Sequence, residues 1–485
     1  MILLVLFVFI SVSEASNIDG KPPSHGTFNN LTKTREFIDK SLLIEYILKS
    51  RRHIYIAAPP GFGKSTNLQM LKEFFALEVD SSGNFIDPAK ILKTEEDFQS
   101  PREEVKISAS TSTERGTFIT DTKGQCVYVN VSKPNGSFGH PLRNYDTFSQ
   151  LKIHKKSPKL FKAQLARYPV LLVNYESLST KSFQDYVRSF RLMISKLFDP
   201  FSYLLKRNVL TQGSKDEFSL FHDLKLNKEL CLDEIILGGE RLVHLLSIYH
   251  DRKSIILVDN FDVPIRKALL ASHLDEESFR RIMWSTSQFV ELLIKSRFVS
   301  RIVVTGNLRI NVTEGLAHIS ILENEQLFRY YGLTEGDISI LARRFDKQIN
   351  ITDVKNWYGG YTVTRECHNL CNTRSTLSYF GTGELKLYRN ESHKFENLKK
   401  IFNHKSMRRN VQNNTRTTLD TGKKIEQSHL EHLRLAIFNP KQTLTISDKD
   451  LILQILLDHG FYSVKDKNRL YVPNIEAMLD IKKLL

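Results

Sequence analysis

Four short runs of nearly unbroken apolar residues stand out along the chain, at 53–58, 169–175, 254–259 and 301–305. Runs of this length without alternating polar positions predict strands buried on both faces. Between them, apolar residues recur at helical spacing. Leu68, Met70, Leu71, Phe74, Phe75 and Leu77 predict a helix over 64–78, and similar spacing predicts helices over 182–197 and 276–295. Strands alternating with helices predict an α/β fold, a parallel sheet covered by helices. Helical spacing also begins near Phe37, with Phe37, Ile38, Leu42, Ile44 and Ile47 on one side.

The pattern changes after residue 333. Helices are expected over 335–345, 352–357 and 451–459, with two short strands over 461–464 and 469–472. This predicts a domain over 35–333 and a smaller C-terminal helical and α+β module over 334–485. Within the first, residues 80–145 are polar and turn-rich and read as an insertion. Residues 17–34, rich in Gly, Pro, Ser and Asn, read as an extended lead-in. Residues 1–16 pass from an apolar run to small residues, as a signal peptide cleaved near Ala15 or Ser16 does. That run is shorter than the roughly 20 apolar residues needed to span a bilayer, and no later stretch is long enough.

The first strand leads into chemistry. Ala58-Pro59-Pro60-Gly61-Phe62-Gly63-Lys64-Ser65-Thr66 follows the phosphate-loop pattern, with Ala58 in place of its first glycine. Gly61 and Gly63 allow backbone to approach phosphate closely. Successive amides and the positive end of the next helix would hold the anion. Lys64 is placed to meet the β- and γ-phosphates and Ser65 to ligate Mg²⁺. Asp259, ending the third apolar run, would complete the metal site, directly or through water. The next residue is Asn260, whose neutral amide cannot accept a proton. Asp262 is the candidate substitute, or else a turn-stabilising residue. At the end of the fourth run, Thr305 or Asn307 is placed to sense the γ-phosphate, and Arg309 to offset its charge, unless these only close a turn.

Charge and cysteines widen the picture. The formal net charge is +15 over 485 residues, which favours polyanionic partners, unless it only solvates the surface. Basic runs at 152–162 and 405–424 are candidate contacts. An even count of four cysteines suits two disulfides in an oxidising compartment, with Cys367 and Cys371 able to close a small loop. Asn-x-Ser/Thr signals at Asn30, Asn130, Asn135, Asn311, Asn350, Asn390 and Asn413 fit a secreted glycoprotein.

Taken in order, several motifs resemble the AAA-ATPase-like domain family, a divergent P-loop group. They are Phe37-Ile38-Asp39-Lys40-Ser41, the loop at Pro59–Ser65, Leu257–Pro264, Val304-Thr305-Gly306, Tyr331-Gly332-Leu333-Thr334, Trp357-Tyr358-Gly359-Gly360-Tyr361, Leu457–Phe461 and Val472-Pro473-Asn474. The resemblance implies ATP and Mg²⁺ as ligands. Where the family usually has Glu, this chain has Asn260, so hydrolysis is expected to be weak or absent. Bacterial members often continue into a nuclease-like domain, which this resemblance does not transfer. The alternative is a secreted, non-enzymatic relative with a vestigial nucleotide site that engages a polyanionic or protein partner.

Overall fold

The structure is a computed structural model. It describes residues 27–80, 82–91, 108–113, 116–120, 126–130, 142–311, 314–345, 349–363, 368–402, 419, 424–439, 444–465 and 469–484. The signal-like residues 1–16, the start of the lead-in, the basic run at 405–418 and the signals at Asn135 and Asn413 lie outside them.

Five parallel strands form the central sheet: β1 (His53–Ala57), β2 (Val170–Asn174), β3 (Ser254–Asp259), β4 (Val299–Gly306) and β5 (Ala317–Ser320), in the order β2-β3-β4-β1-β5. The four apolar runs are the first four strands. The fifth, Ala-His-Ile-Ser, lies at the sheet edge and has no apolar run to announce it. Side-chain alternation divides each strand between two cores. Tyr55, Leu171, Val173, Ile256, Val258, Ile302 and Val304 face one. Ile54, Ile56, Val170, Ile255, Leu257 and Val303 face the other. Burial on both faces is why these runs show no polar alternation.

Helix α1 (Lys64–Phe75) follows β1 and buries Leu68, Met70, Leu71, Phe74 and Phe75. Each such side chain contributes about 1.5–3 kcal/mol. Phe74 also meets Phe148 edge-on at 5.2 Å, tying α1 to the short helix Tyr145–Ser149. On the opposite face, Phe183–Phe198 and Glu276–Lys295 pack with residues from the C-terminal part, among them Phe395, Leu430, Ile452, Leu456 and Phe461.

Three expectations are corrected. The lead-in is not extended throughout, because Phe28–Thr32 is a helix whose first amides, Phe28 N and Asn29 N, donate to the Glu73 carboxylate. The helix expected from Phe37 starts only at Leu43, since Asp39 Oδ1 accepts from Ser41 N and turns the chain first. Cys371 is a free, buried thiol, as Cys231 is a free, exposed one, so the four cysteines do not form two disulfides; Cys367 lies outside the described residues. Cys371 exchanges backbone hydrogen bonds with Leu333, and its sulfur lies under Gly359, inside the fold.

Candidate functional site

The chain leaves β1 at the sheet's C-terminal edge and turns through residues 58–63 into α1. Gly61 and Gly63 both have positive φ, 83° and 86°. At Gly61 a side chain would also collide, because a Cβ would lie 2.5 Å from Asn372 Oδ1. The loop is held from outside by its carbonyls. Pro60 O accepts from Asn372 Nδ2 (2.8 Å), Gly61 O from Arg374 N (3.1 Å), and Phe62 O from Gly332 N (3.1 Å). The backbone amides of residues 61–66 have no acceptor among the described residues. Phe62 turns its ring into the core, edge-on to Tyr361 at 5.1 Å.

Lys64 folds back over the loop. Its ammonium donates to Ala58 O (2.6 Å), Pro59 O (3.0 Å) and Asn307 Oδ1 (2.7 Å). Burial lowers its pKa to about 8, and the Asp262, Asp259 and Glu391 carboxylates keep it from falling further. Lysine and carboxylates therefore lie on the same side of the molecule.

A cleft of about 400 Å³ opens here. Pro60, Gly61, Phe62, Gly63, Lys64, Ser65, Thr66, Asn260 and Asn307 all line it. Ser65 and Thr66 are exposed at the start of α1. Because β4 lies between β1 and β3, its tip brings Asn307 to Lys64 and sets Thr305 against Asp259. Thr305 is fully buried; its hydroxyl donates to Asp259 Oδ1 (2.8 Å), which also accepts from Asn260 N (3.0 Å). Thr305 thus orients Asp259 and does not reach the cleft. Asn260 has φ 57°, a left-handed value asparagine tolerates, and its Nδ2 donates to Asn174 Oδ1 (3.1 Å).

Neither Asp259 nor Thr305 lines the cleft, and two further nominated residues do not face it. Asp262 is fully buried, and its Oδ1 accepts from Asn307 N (2.8 Å). Arg309 points the other way, with Nε and Nη2 on Asp458 Oδ1 (3.1 and 3.0 Å) and Nη1 on Glu323 Oε1 (2.6 Å). Its charge is committed to that pair. Strand periodicity stops at Gly306 and carries no signal for the direction of a side chain three residues later.

Sequence reasoning missed several cleft residues. Arg266, Arg374 and Lys394 line it, as do the apolar side chains Phe28, Leu31, Leu333 and Leu377. Arg266 comes four residues after Asp262, one helical turn above the strand tip, a spacing that could have nominated it. Arg374 and Lys394 come from far along the chain with no local signal.

The fit to a magnesium triphosphate is good in kind. The cleft offers free backbone amides, the cations Lys64, Arg266 and Arg374, and the Ser65 hydroxyl. Among the described residues no group of three His, Cys, Asp or Glu side chains is placed to hold a metal. A metal here would need phosphate oxygens beside the protein's own, as Mg²⁺ usually has. No helix among the described residues is long and apolar enough to cross a membrane.

Comparison with known proteins bears on the same segment. No curated protein matches the chain. Among solved structures, the Walker-type ATPase PABY2304 of Pyrococcus abyssi aligns over 67% of this chain and 87% of its own, at 10% identity and a TM-score of 0.32. Residues 26–117 match the AAA-ATPase-like family, described as "Predicted AAA-ATPase". Those residues contain β1, the phosphate loop and α1, and over them the chain is similar to the AAA-ATPase-like family.

Proposed function

We propose that the chain binds ATP with Mg²⁺ in this cleft and hydrolyses it slowly or not at all. One observation carries the reading: the loop's carbonyls are bound from outside while its amides are left free around the Lys64 ammonium. A loop polarised in this way is built for an anion. Lys64 and the amides of residues 61–66 would hold the phosphates. Ser65 and, through water, Asp259 would hold the metal. The metal would neutralise phosphate charge. Slow turnover follows from the β3 tip, where the cleft receives the neutral Asn260 while the Asp262 carboxylate stays buried on Asn307 N.

The test is thermal. Mg²⁺-ATP should raise the melting temperature of the purified chain, and Lys64→Ala should abolish the rise. No rise in the wild-type chain overturns the reading.

A second reading is supported by the +15 charge. In it the chain is secreted and glycosylated, its nucleotide site is vestigial, and its basic surface engages a polyanion or protein. Lys152, Lys155, Lys156 and Lys159 are exposed on two successive short helices. Under this reading heparin binds with steep salt dependence while nucleotide shifts nothing.

A further inference from the structure

Four arginines are buried among the described residues: Arg266, Arg309, Arg389 and Arg434, at 5%, 5%, 7% and 1% exposure. Three of them have their charge answered. Arg309 meets Asp458 and Glu323, Arg389 meets Asp480, and Arg434 meets Glu276 together with the carbonyls of Ala268, Leu269, Ala271 and Leu274. Arg266 has neither a hydrogen bond nor an ion pair to its guanidinium among the described residues, and its Nε is a fully buried donor without an acceptor. The Phe395 ring lies beside it, its centroid 5.8 Å from Cζ. An uncompensated buried charge is costly, and folded chains rarely keep one without use for it.

The same side chain lines the nucleotide cleft. It stands on helix α2 (Val263–Leu269), which begins just beyond Asp259 and Asn260 at the tip of β3. In the strand order, the loop follows β1, Asn307 follows β4, and α2 follows β3, each a strand further from the loop. A phosphate chain gripped by the loop and directed across these tips presents its far end to Arg266. We propose that Arg266 is the cation that receives the terminal phosphate of a bound nucleoside triphosphate, and so makes the site discriminate triphosphate from diphosphate. This rests on the nucleotide reading above and assigns to Arg266 the role that Arg309 cannot fill. A guanidinium suits the task, because it pairs with phosphate oxygens through a planar fork that an ammonium lacks.

The experiment compares full-length wild-type, Arg266→Met, Arg266→Lys and Lys64→Ala chains by titration with Mg²⁺-ATP and Mg²⁺-ADP, and by melting without nucleotide. A charge-assisted contact of this kind is worth about tenfold or more in affinity. Arg266→Met should therefore weaken ATP by at least that factor with ADP little changed, and Arg266→Lys should recover part of the loss. Without nucleotide, Arg266→Met should melt no lower than wild type, since it removes a charge that no carboxylate answers. Equal weakening of ATP and ADP, an unchanged ATP preference, or a several-degree fall in nucleotide-free melting would overturn the assignment while leaving the phosphate loop intact. If wild type binds neither nucleotide, or Lys64→Ala binds both as wild type does, the nucleotide reading fails and this inference with it.

Discussion

Raising the pH from 7 to 9.5 should weaken ATP binding and, over the same range, stabilise the ligand-free chain. Both effects trace to Lys64. Its ammonium is buried, and although three carbonyl-type oxygens receive its protons, burial brings its pKa down to about 8. About nine-tenths of it is charged at pH 7 and only about 3% at pH 9.5. A bound triphosphate favours the ammonium and raises that pKa, so binding above pH 8 must draw a proton from solution. If the complex titrates above about pH 10, affinity falls by roughly 25- to 30-fold between pH 7 and 9.5. For folding the sign is opposite. The folded pKa lies below the unfolded value of 10.5, so above pH 8 the unfolded chain binds more protons. The penalty of the buried charge is present in full below pH 8 and is relieved as pH rises toward 10.5, by up to about 1.4 kcal/mol per unit. Calorimetric titration at pH 8.5–9.5 in two buffers of different ionisation enthalpy reads the proton uptake, and denaturant melts of wild type and Lys64→Ala read the stability. A Kd that stays flat across this range with no proton uptake would refute the reasoning.

Other perturbations separate the parts of the site. Gly61→Ala combines a left-handed backbone with a collision at Asn372, costs about 1–2 kcal/mol for the backbone alone, and should eliminate the melting shift caused by Mg²⁺-ATP. At position 260 the backbone φ of 57° suits Asp better than Glu. Asn260→Asp should therefore raise phosphate release, by up to about 10²-fold, with little loss of stability, whereas Asn260→Glu should melt lower; malachite-green release and melting curves check both. Asp458→Asn leaves Arg309 without its main partner deep in the fold, so it should cost about 3–5 kcal/mol in denaturant melts and leave ATP affinity unchanged.

The sheet was legible because its strands obey local rules. Residues 254–259 are apolar at every central position, and burial on both faces requires that. The loop was legible for a similar reason: Gly61 and Gly63 occupy left-handed positions that the motif itself specifies. The edge strand Ala317–Ser320 escaped notice because pairing on one side only leaves its residues half-buried, and half-burial demands no apolar run. The orientation of Arg309 escaped for a different reason. It depends on Asp458, 149 residues away, and no periodicity reports a partner at that distance. Thr305 is the intermediate case: its strand is evident in the sequence, while the turn of its hydroxyl to Asp259 depends on the neighbouring strand.

The motifs after residue 333 bear on the same loop in a way their spacing does not reveal. Tyr361 lies edge-on to Phe62 and donates from its hydroxyl to Gly460 O at 3.0 Å. At Gly460 a Cβ would lie 3.1 Å from Pro59. Asn474 Nδ2 donates to Gly359 O, and Asn372 N to Tyr358 O, which seats Asn372 and Arg374 against the carbonyls of Pro60 and Gly61. A loop with two left-handed glycines would otherwise have many conformations to lose on binding. Here the carbonyls are fixed from behind, so the peptide planes cannot rotate, and their amides are fixed by the same constraint. Preorganisation of this kind lowers the entropy cost of holding an anion. It also means that the docking of residues 358–361 and 371–374 and the grip on phosphate are one equilibrium. A substitution such as Asn372→Ala, which touches no phosphate, should loosen the loop and reduce nucleotide affinity while the sheet remains folded.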